Sequence, residues 1–270
     1  MTPHFILITG TNGVGKSTFG HIFSRQENIP FIDIDLFYKQ KFGVYREYIE
    51  DEIKETTQEL SNLRQQYFEN KQSFAQEMII ASAYKAERLV EQAKQHGFQT
   101  SLVYMGVDKA DKEVIQTLKN RINDRITKGL HYVEPATISL NLADVITNFK
   151  KVVTFFDNIA IYNNSTFYNR ILDIRNKEIY KAKINLPQFA KELIQDTFID
   201  DKLKMYQLQK ETKYYIEHKN SFYGDAKKKS ENIILHLYKE LSKNKNIELD
   251  GNILKVINTI INERNGGRKI

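Results

Sequence analysis

The residues whose types and spacing carry the clearest chemistry are Gly10-Thr11-Asn12-Gly13-Val14-Gly15-Lys16-Ser17-Thr18, which meet the pattern G-x-x-x-x-G-K-[ST] at every fixed position. Glycines at this spacing let the backbone turn tightly and aim its N–H groups at one concave point. A helix beginning directly after the loop adds the positive end of its dipole at the same point, so the stretch suits phosphate oxygens. The lysine at position 16 would reach the β- and γ-phosphates, and the hydroxyl of Ser17 would ligate Mg²⁺. The expected cofactors are therefore ATP or GTP together with Mg²⁺, held by residues 10–18.

Such a loop works only between a strand and a helix. Phe5-Ile6-Leu7-Ile8 reads as a short buried strand before it, and residues 18–25 as the start of a helix after it. The second strand is expected over 30–35, a polar helix over 44–69, a strand over 74–80 and a helix over 84–96 that stops at Gly97. A buried strand follows at 100–107, then helices at 112–128 and 141–150 and a strand at 152–158. This alternation predicts an α/β fold, a P-loop NTPase-type parallel sheet flanked by helices. Beyond Pro187 no strand pattern remains, and helices are expected at 200–219, 227–243 and 252–263. Residues 1–193 are read as the catalytic core and 194–270 as a helical C-terminal appendage.

Bulk composition narrows the class. With 270 residues, 41% hydrophobic and 27% charged, the chain suits a globular protein with a full core. It contains no run of apolar residues long enough to span a bilayer, and Met1 to His4 lacks the basic start of a signal peptide. No membrane partner is expected. The absence of cysteine excludes disulfides, thiolate metal sites and a cysteine nucleophile, and fits a reducing cytoplasm. The net charge of +6 favours anionic partners, but Lys, Asn and Ile are abundant throughout, so nucleic acid is the less favoured partner.

The guanine-reading sequence N-K-x-D and the transporter signature L-S-G-G-Q are both missing. A small-substrate kinase needs a carboxylate near the γ-phosphate to orient and deprotonate the acceptor hydroxyl. Asp33 and Asp35 stand at the expected C-terminal end of the second strand, where alternation would send both to one face. Asp35 is read as the base. Asp33 is read equally as a substrate-side carboxylate and as a helix N-cap.

An ordered series of motifs resembles the zeta-toxin family of P-loop kinases over about residues 5–187. After the phosphate loop come Ile32-Asp33-Ile34-Asp35, Ser73-Phe74-Ala75-Gln76-Glu77 and Ala93-Lys94-Gln95-His96-Gly97-Phe98. Arg121-Ile122-Asn123-Asp124-Arg125, Lys128-Gly129-Leu130-His131-Tyr132-Val133 and Phe156-Asp157-Asn158 complete it. The resemblance implies phosphorylation of a sugar hydroxyl, in this family that of UDP-N-acetylglucosamine, and a small helical antitoxin that blocks the nucleotide site. It places Lys16 and Ser17 on phosphate and Mg²⁺, Asp35 on the general base and Glu77 on the acceptor's sugar. It also places Arg121 on the transferring phosphoryl and His131 near a lid position. Independently, an arginine fork suits charge on the equatorial oxygens, and Arg121 and Arg125, four apart, would share a helix face.

Three departures fall on the acceptor and lid side. Met78 and Ile79 stand where the family has Thr-Thr, Gly129-Leu130-His131 replaces Gly-Gly-His, and an Arg-Arg-Tyr-like element is replaced near Ser139-Leu140-Asn141-Leu142. Loss of polar partners from a sugar site alters discrimination by orders of magnitude. Two alternatives therefore stand beside the nucleotide-sugar kinase: a kinase acting on a nucleic-acid end or nucleotide, and a non-catalytic nucleotide-binding regulator.

Overall fold

The computed structural model describes residues 2–43, 46, 48–108, 120–123, 135–183, 185–222, 225–244 and 247–266, with side chains left undescribed at 135–142 and 266. The chain divides into two compact units, Met1–Asp196 and Thr197–Ile270.

The first unit is organised by β1 (His4–Thr9), whose Phe5, Leu7 and Ile8 are fully buried. A strand buried on both faces must lie inside the sheet, and β1 is flanked by parallel β3 (Phe74–Glu77) and parallel β4 (Gln99–Gly106). The seven-stranded order is β2-β3-β1-β4-β5-β6-β7, where β2 is Phe31–Ile32, β5 Asn158–Asn163, β6 Asn169–Arg175 and β7 Glu178–Ala182. Strands β2 to β5 and β1 pair in parallel, whereas β6 and β7 extend the sheet antiparallel. The fold is thus the expected helix-flanked parallel sheet, with an antiparallel edge that the sequence pattern did not reveal.

Alternation along β1 and β3 separates two apolar layers. Ile6, Ile8 and Ala75 pack with Val14 and Phe19 on the side of α1 (Lys16–Glu27). Phe5 and Phe74 meet Phe68 of α3 (Glu50–Glu69) and Phe98. The helix α4 (Ala83–Gln95) buries Ala86, Leu89, Val90 and Ala93 and ends at Gly97, which has φ of 76°.

Several expected elements differ: the helix expected from 44 starts at Glu50, the strand expected to 80 ends at Glu77, and two more differ in kind. The second strand is only Phe31–Ile32, because the Asp33 carboxylate accepts from the Leu36 N–H at 2.9 Å and starts α2 (Ile34–Phe42). A side chain that offers the backbone this alternative ends a strand early. The strand expected at 152–158 is instead the end of α5 (Pro135–Val152) and one 3₁₀ turn, Val153–Phe155, with β5 starting only at Asn158. Its apolar residues were buried as expected, but burial alone does not separate a helix end from a strand. The Asp157 carboxylate accepts from the Thr100 N–H and hydroxyl, both at 2.9 Å, and pins the start of β4. The helix expected at 112–128 lies outside the described residues except for 120–123, which are helical.

After the short helix α6 (Gln188–Ile194), the second unit consists of α7 (Phe198–His218), α8 (Ala226–Leu241) and α9 (Gly251–Gly266). Its core contains Leu208, Tyr215, Ile234, Leu237, Ile257 and Ile260.

Candidate active site

The phosphate loop leaves β1 at Gly10 and enters α1 at Lys16. Gly10 has φ of 142°, and a Cβ there would collide with the Met105 carbonyl oxygen. Gly15 has φ of 89°, and its Cβ would lie 3.0 Å from the Asn164 amide nitrogen and 3.1 Å from the Tyr168 hydroxyl. Both positions therefore require glycine for conformation and for space. The loop is held from beneath by two residues that sequence reasoning missed. The Asn164 side chain donates to the Val14 carbonyl at 2.6 Å, and the Tyr168 hydroxyl donates to the Gly15 carbonyl at 3.3 Å. They lie just after β5 and just before β6, so the missed strand hid them; the run Asn163-Asn164-Ser165 was the available turn signal.

Lys16 donates from Nζ to the Thr11 carbonyl at 3.1 Å, curling back over the loop. The Ser17 hydroxyl donates to Glu77 Oε2 at 2.8 Å. The resemblance puts Glu77 on the acceptor sugar, yet its contact in this structure is the serine of the phosphate loop. The register explains the meeting: Ile8 pairs with Glu77, so β3 ends beside the exit of β1, and Glu77 points to the α1 side. Parallel sheets of this type gather their sites at these strand ends.

Glu77 is 6% exposed, and its carboxyl is raised to about 7. Burial is the main cause, followed by the negative charge of Asp33; Lys16 and the Ser17 hydrogen bond oppose it, and Asp35 adds to it. Three carboxylates and one lysine thus share one corner.

The two aspartates play different parts. Asp33 is committed twice, to the Leu36 N–H and to His21 Nε2 at 3.0 Å. This corrects the expectation that both aspartates end one strand and share a face: Asp33 is the N-cap of α2, and Asp35 sits in its first turn. Asp35 makes no hydrogen bond to the described residues, and its charge is felt at both Glu77 and Tyr48. Arg121, in the helical segment 120–123, is felt at Tyr168 and so stands near the loop's underside support. Arg125 and His131 lie outside the described residues, as does the expected sharing of a face by Arg121 and Arg125.

For a divalent cation the donors present are the Ser17 hydroxyl and the Glu77 carboxylate, which already touch. No cluster of three or more ligating side chains occurs among the described residues. This donor set fits Mg²⁺, which favours oxygen, uses one or two protein ligands and takes the rest from water and phosphate.

The geometry defines a P-loop protein with a carboxylate-rich corner beside the loop. The zeta toxin family model matches residues 1–177, and the chain belongs to that family. Among solved structures it is similar to the PezAT chromosomal toxin–antitoxin system of Streptococcus pneumoniae, at 15% identity and a TM-score of 0.52, covering 90% of this chain and 88% of that one. It is similar also to AvrRxo1-ORF1:-ORF2 with ATP, at 10% identity and a TM-score of 0.51, covering 70% of this chain and 62% of the other. These likenesses show the fold. A shikimate kinase of Bacteroides thetaiotaomicron is 46% identical over 37 residues, a match spanning 14% of this chain and only 21% of that curated relative.

No helix among the described residues is long and apolar enough to cross a membrane.

Proposed function

We propose that the chain is a kinase that moves the γ-phosphoryl group of ATP or GTP to a hydroxyl of a nucleotide-sugar such as UDP-N-acetylglucosamine. The observation that carries this reading is the lysine- and serine-bearing loop joined to Glu77 at 2.8 Å, with Asp35 in the same corner and free of hydrogen bonds to the described residues.

The backbone N–H groups of residues 10–18 and Lys16 hold the β- and γ-phosphates. Ser17, with Glu77 in contact with it, would hold Mg²⁺, which would neutralise phosphate charge. Asp35 accepts the proton of the acceptor hydroxyl as its oxygen forms a bond to the γ-phosphorus. The bond from that phosphorus to the β-phosphate oxygen breaks, and the nucleoside diphosphate leaves with the electron pair. Arg121 meets the charge on the transferring group. Asp33 serves by placement: it starts α2 and so sets where Asp35 stands.

The AvrRxo1-ORF1:-ORF2 structure is one with ATP, and the pneumococcal relative is part of a toxin–antitoxin system. A small helical antitoxin covering the phosphate loop belongs to the same proposal for this chain. The test is incubation with labelled ATP and, separately, UDP-N-acetylglucosamine or RNA, followed by mass spectrometry. Label on the sugar of the nucleotide-sugar supports the reading. Label on RNA ends moves the acceptor to nucleic acid, and ATP binding without transfer to any metabolite of a cell extract leaves a nucleotide-binding regulator.

A further inference from the structure

On the sheet face away from α1, a cleft of about 660 Å³ opens between α2, α3, α4 and β3. Its walls include Ile34 and Tyr38 of α2, Arg64 of α3, Gln76 and Met78 at β3, and Arg88 of α4. Because side chains alternate along a strand, Gln76 turns away from the layer that receives Ala75 and Glu77. The cleft is therefore distinct from the phosphate loop, although its walls are built from neighbours of the site's carboxylates.

Two groups in the cleft lack what they need. Gln76 is 2% exposed, and its carboxamide oxygen is buried without a hydrogen-bond partner among the described residues. Arg64 is half-buried and makes no ion pair or hydrogen bond with the described residues; burial alone pushes its guanidinium below the ordinary arginine range. Leaving a desolvated cation and a buried carbonyl unpaired is costly. The surrounding charge has the sign that an anion requires. Lys85 and Arg88 line the rim with Arg64, against the single carboxylate of Glu91, which lies 3.7 Å from Arg88. At the other end Ile34, Tyr38 and Met78 form an apolar wall.

We infer that this cleft binds a small organic anion, with its oxyanion on the Arg64 fork, a hydroxyl or amine donating to Gln76, and an apolar or ring portion against Ile34, Tyr38 and Met78. The volume is that of sites for drug-sized ligands rather than for a bare ion. A guanidinium accepts a phosphate monoester or a carboxylate through the same paired N–H geometry. The cleft lies on the opposite face of β3 from the loop and does not include Lys16 in its walls, so the ligand's binding does not need the loop lysine.

The test is calorimetric titration of the full chain with phenyl phosphate and, separately, benzoate. Whichever probe binds more tightly identifies the oxyanion. Arg64→Met keeps the bulk and removes the fork, and is expected to weaken the favoured probe about tenfold or more. Arg64→Lys keeps the charge without the paired geometry and is expected to fall between; it carries the test should the methionine variant fail to fold. Lys16→Met is expected to leave probe binding unchanged while abolishing ATP binding. Thermal unfolding without ligand is expected to show Arg64→Met at least as stable as the parent, because a desolvated charge is gone. The inference is overturned if neither probe binds at millimolar concentration, if both Arg64 variants bind as tightly as the parent, or if Lys16→Met abolishes probe binding. None of these readouts involves phosphotransfer, so the kinase reading stands or falls separately.

Discussion

Glu77 and Glu231 are both buried glutamates, 6% and 8% exposed, one in each unit of the chain. Their surroundings are opposite. Glu231 of α8 accepts from Arg264 Nη2 at 3.0 Å and Nε at 3.2 Å, and from the Tyr215 hydroxyl at 3.3 Å, with Lys227 at 3.8 Å. Among the described residues Glu77 has a single serine hydroxyl as its side-chain hydrogen-bond donor, and it shares its corner with Asp33 and Asp35, which Lys16 only partly offsets. The first carboxylate is matched by its neighbours, whereas burial and two nearby carboxylates work against the charge of the second. Clusters of like charge held by the surrounding structure mark sites built for a ligand that resolves the conflict.

The comparison breaks most sharply at Asp35. Asp35→Asn is expected to lower the phosphotransfer rate by about 10²- to 10⁴-fold, the usual loss on removing a general base. Nucleotide affinity, measured by fluorescence titration, should hardly change. An unchanged transfer rate would remove Asp35 from the chemistry. Glu231→Ala should act in the other way. It leaves the Tyr215 hydroxyl without its acceptor and Arg264 with only its Asn232 bond, and is expected to cost about 2–4 kcal/mol in denaturant unfolding, with transfer per folded molecule preserved. Arg264 is 35% exposed at its side chain, which favours the lower part of that range.

Asn164→Ala sharpens the role of the loop's support. It removes the donor of a buried 2.6 Å bond and leaves the Val14 carbonyl unpaired. The expected loss is about 1–3 kcal/mol of stability, together with weaker nucleotide binding, both read from thermal shifts with and without ATP. No loss of either would mean that the loop holds its shape unaided.

A further effect concerns pH. Glu77 binds its proton more tightly in the folded chain, at about 7, than its ordinary value of 4.5 in the unfolded one. The folded state then holds the extra proton, so stability falls as pH rises between these two values and levels off above the upper one. Glu77→Gln should flatten this segment of the unfolding profile in metal-free buffer, and raise stability slightly near neutral pH while lowering phosphotransfer. A variant with the parent's pH slope would show that another group carries it.

Several of these features were legible in the amino-acid order. The phosphate loop, the strand before it and the helix after it rest on local spacing, and local spacing is what a pattern of glycines, lysine and hydroxyl encodes. The three helices after Thr197 follow from the same kind of short-range signal. Family membership was legible because its motifs come in a fixed order.

What needed the tertiary structure was every fact that depends on which distant residues meet. Ser17 and Glu77 are 60 positions apart, and Asn164 and Val14 are 150. Their contacts follow from strand order and register, which no local pattern specifies. Asp33 shows the same limit at short range: cap and strand end are both open to an aspartate there, and in the fold it caps α2 with one carboxylate oxygen while the other meets His21 of α1. The unpaired Arg64 and Gln76 are likewise ordinary letters in the sequence, and only packing shows that neither has a partner among the described residues. Short-range chemistry is written along the chain, whereas the fields and hydrogen bonds that tune it arise from neighbours the chain reaches only by folding.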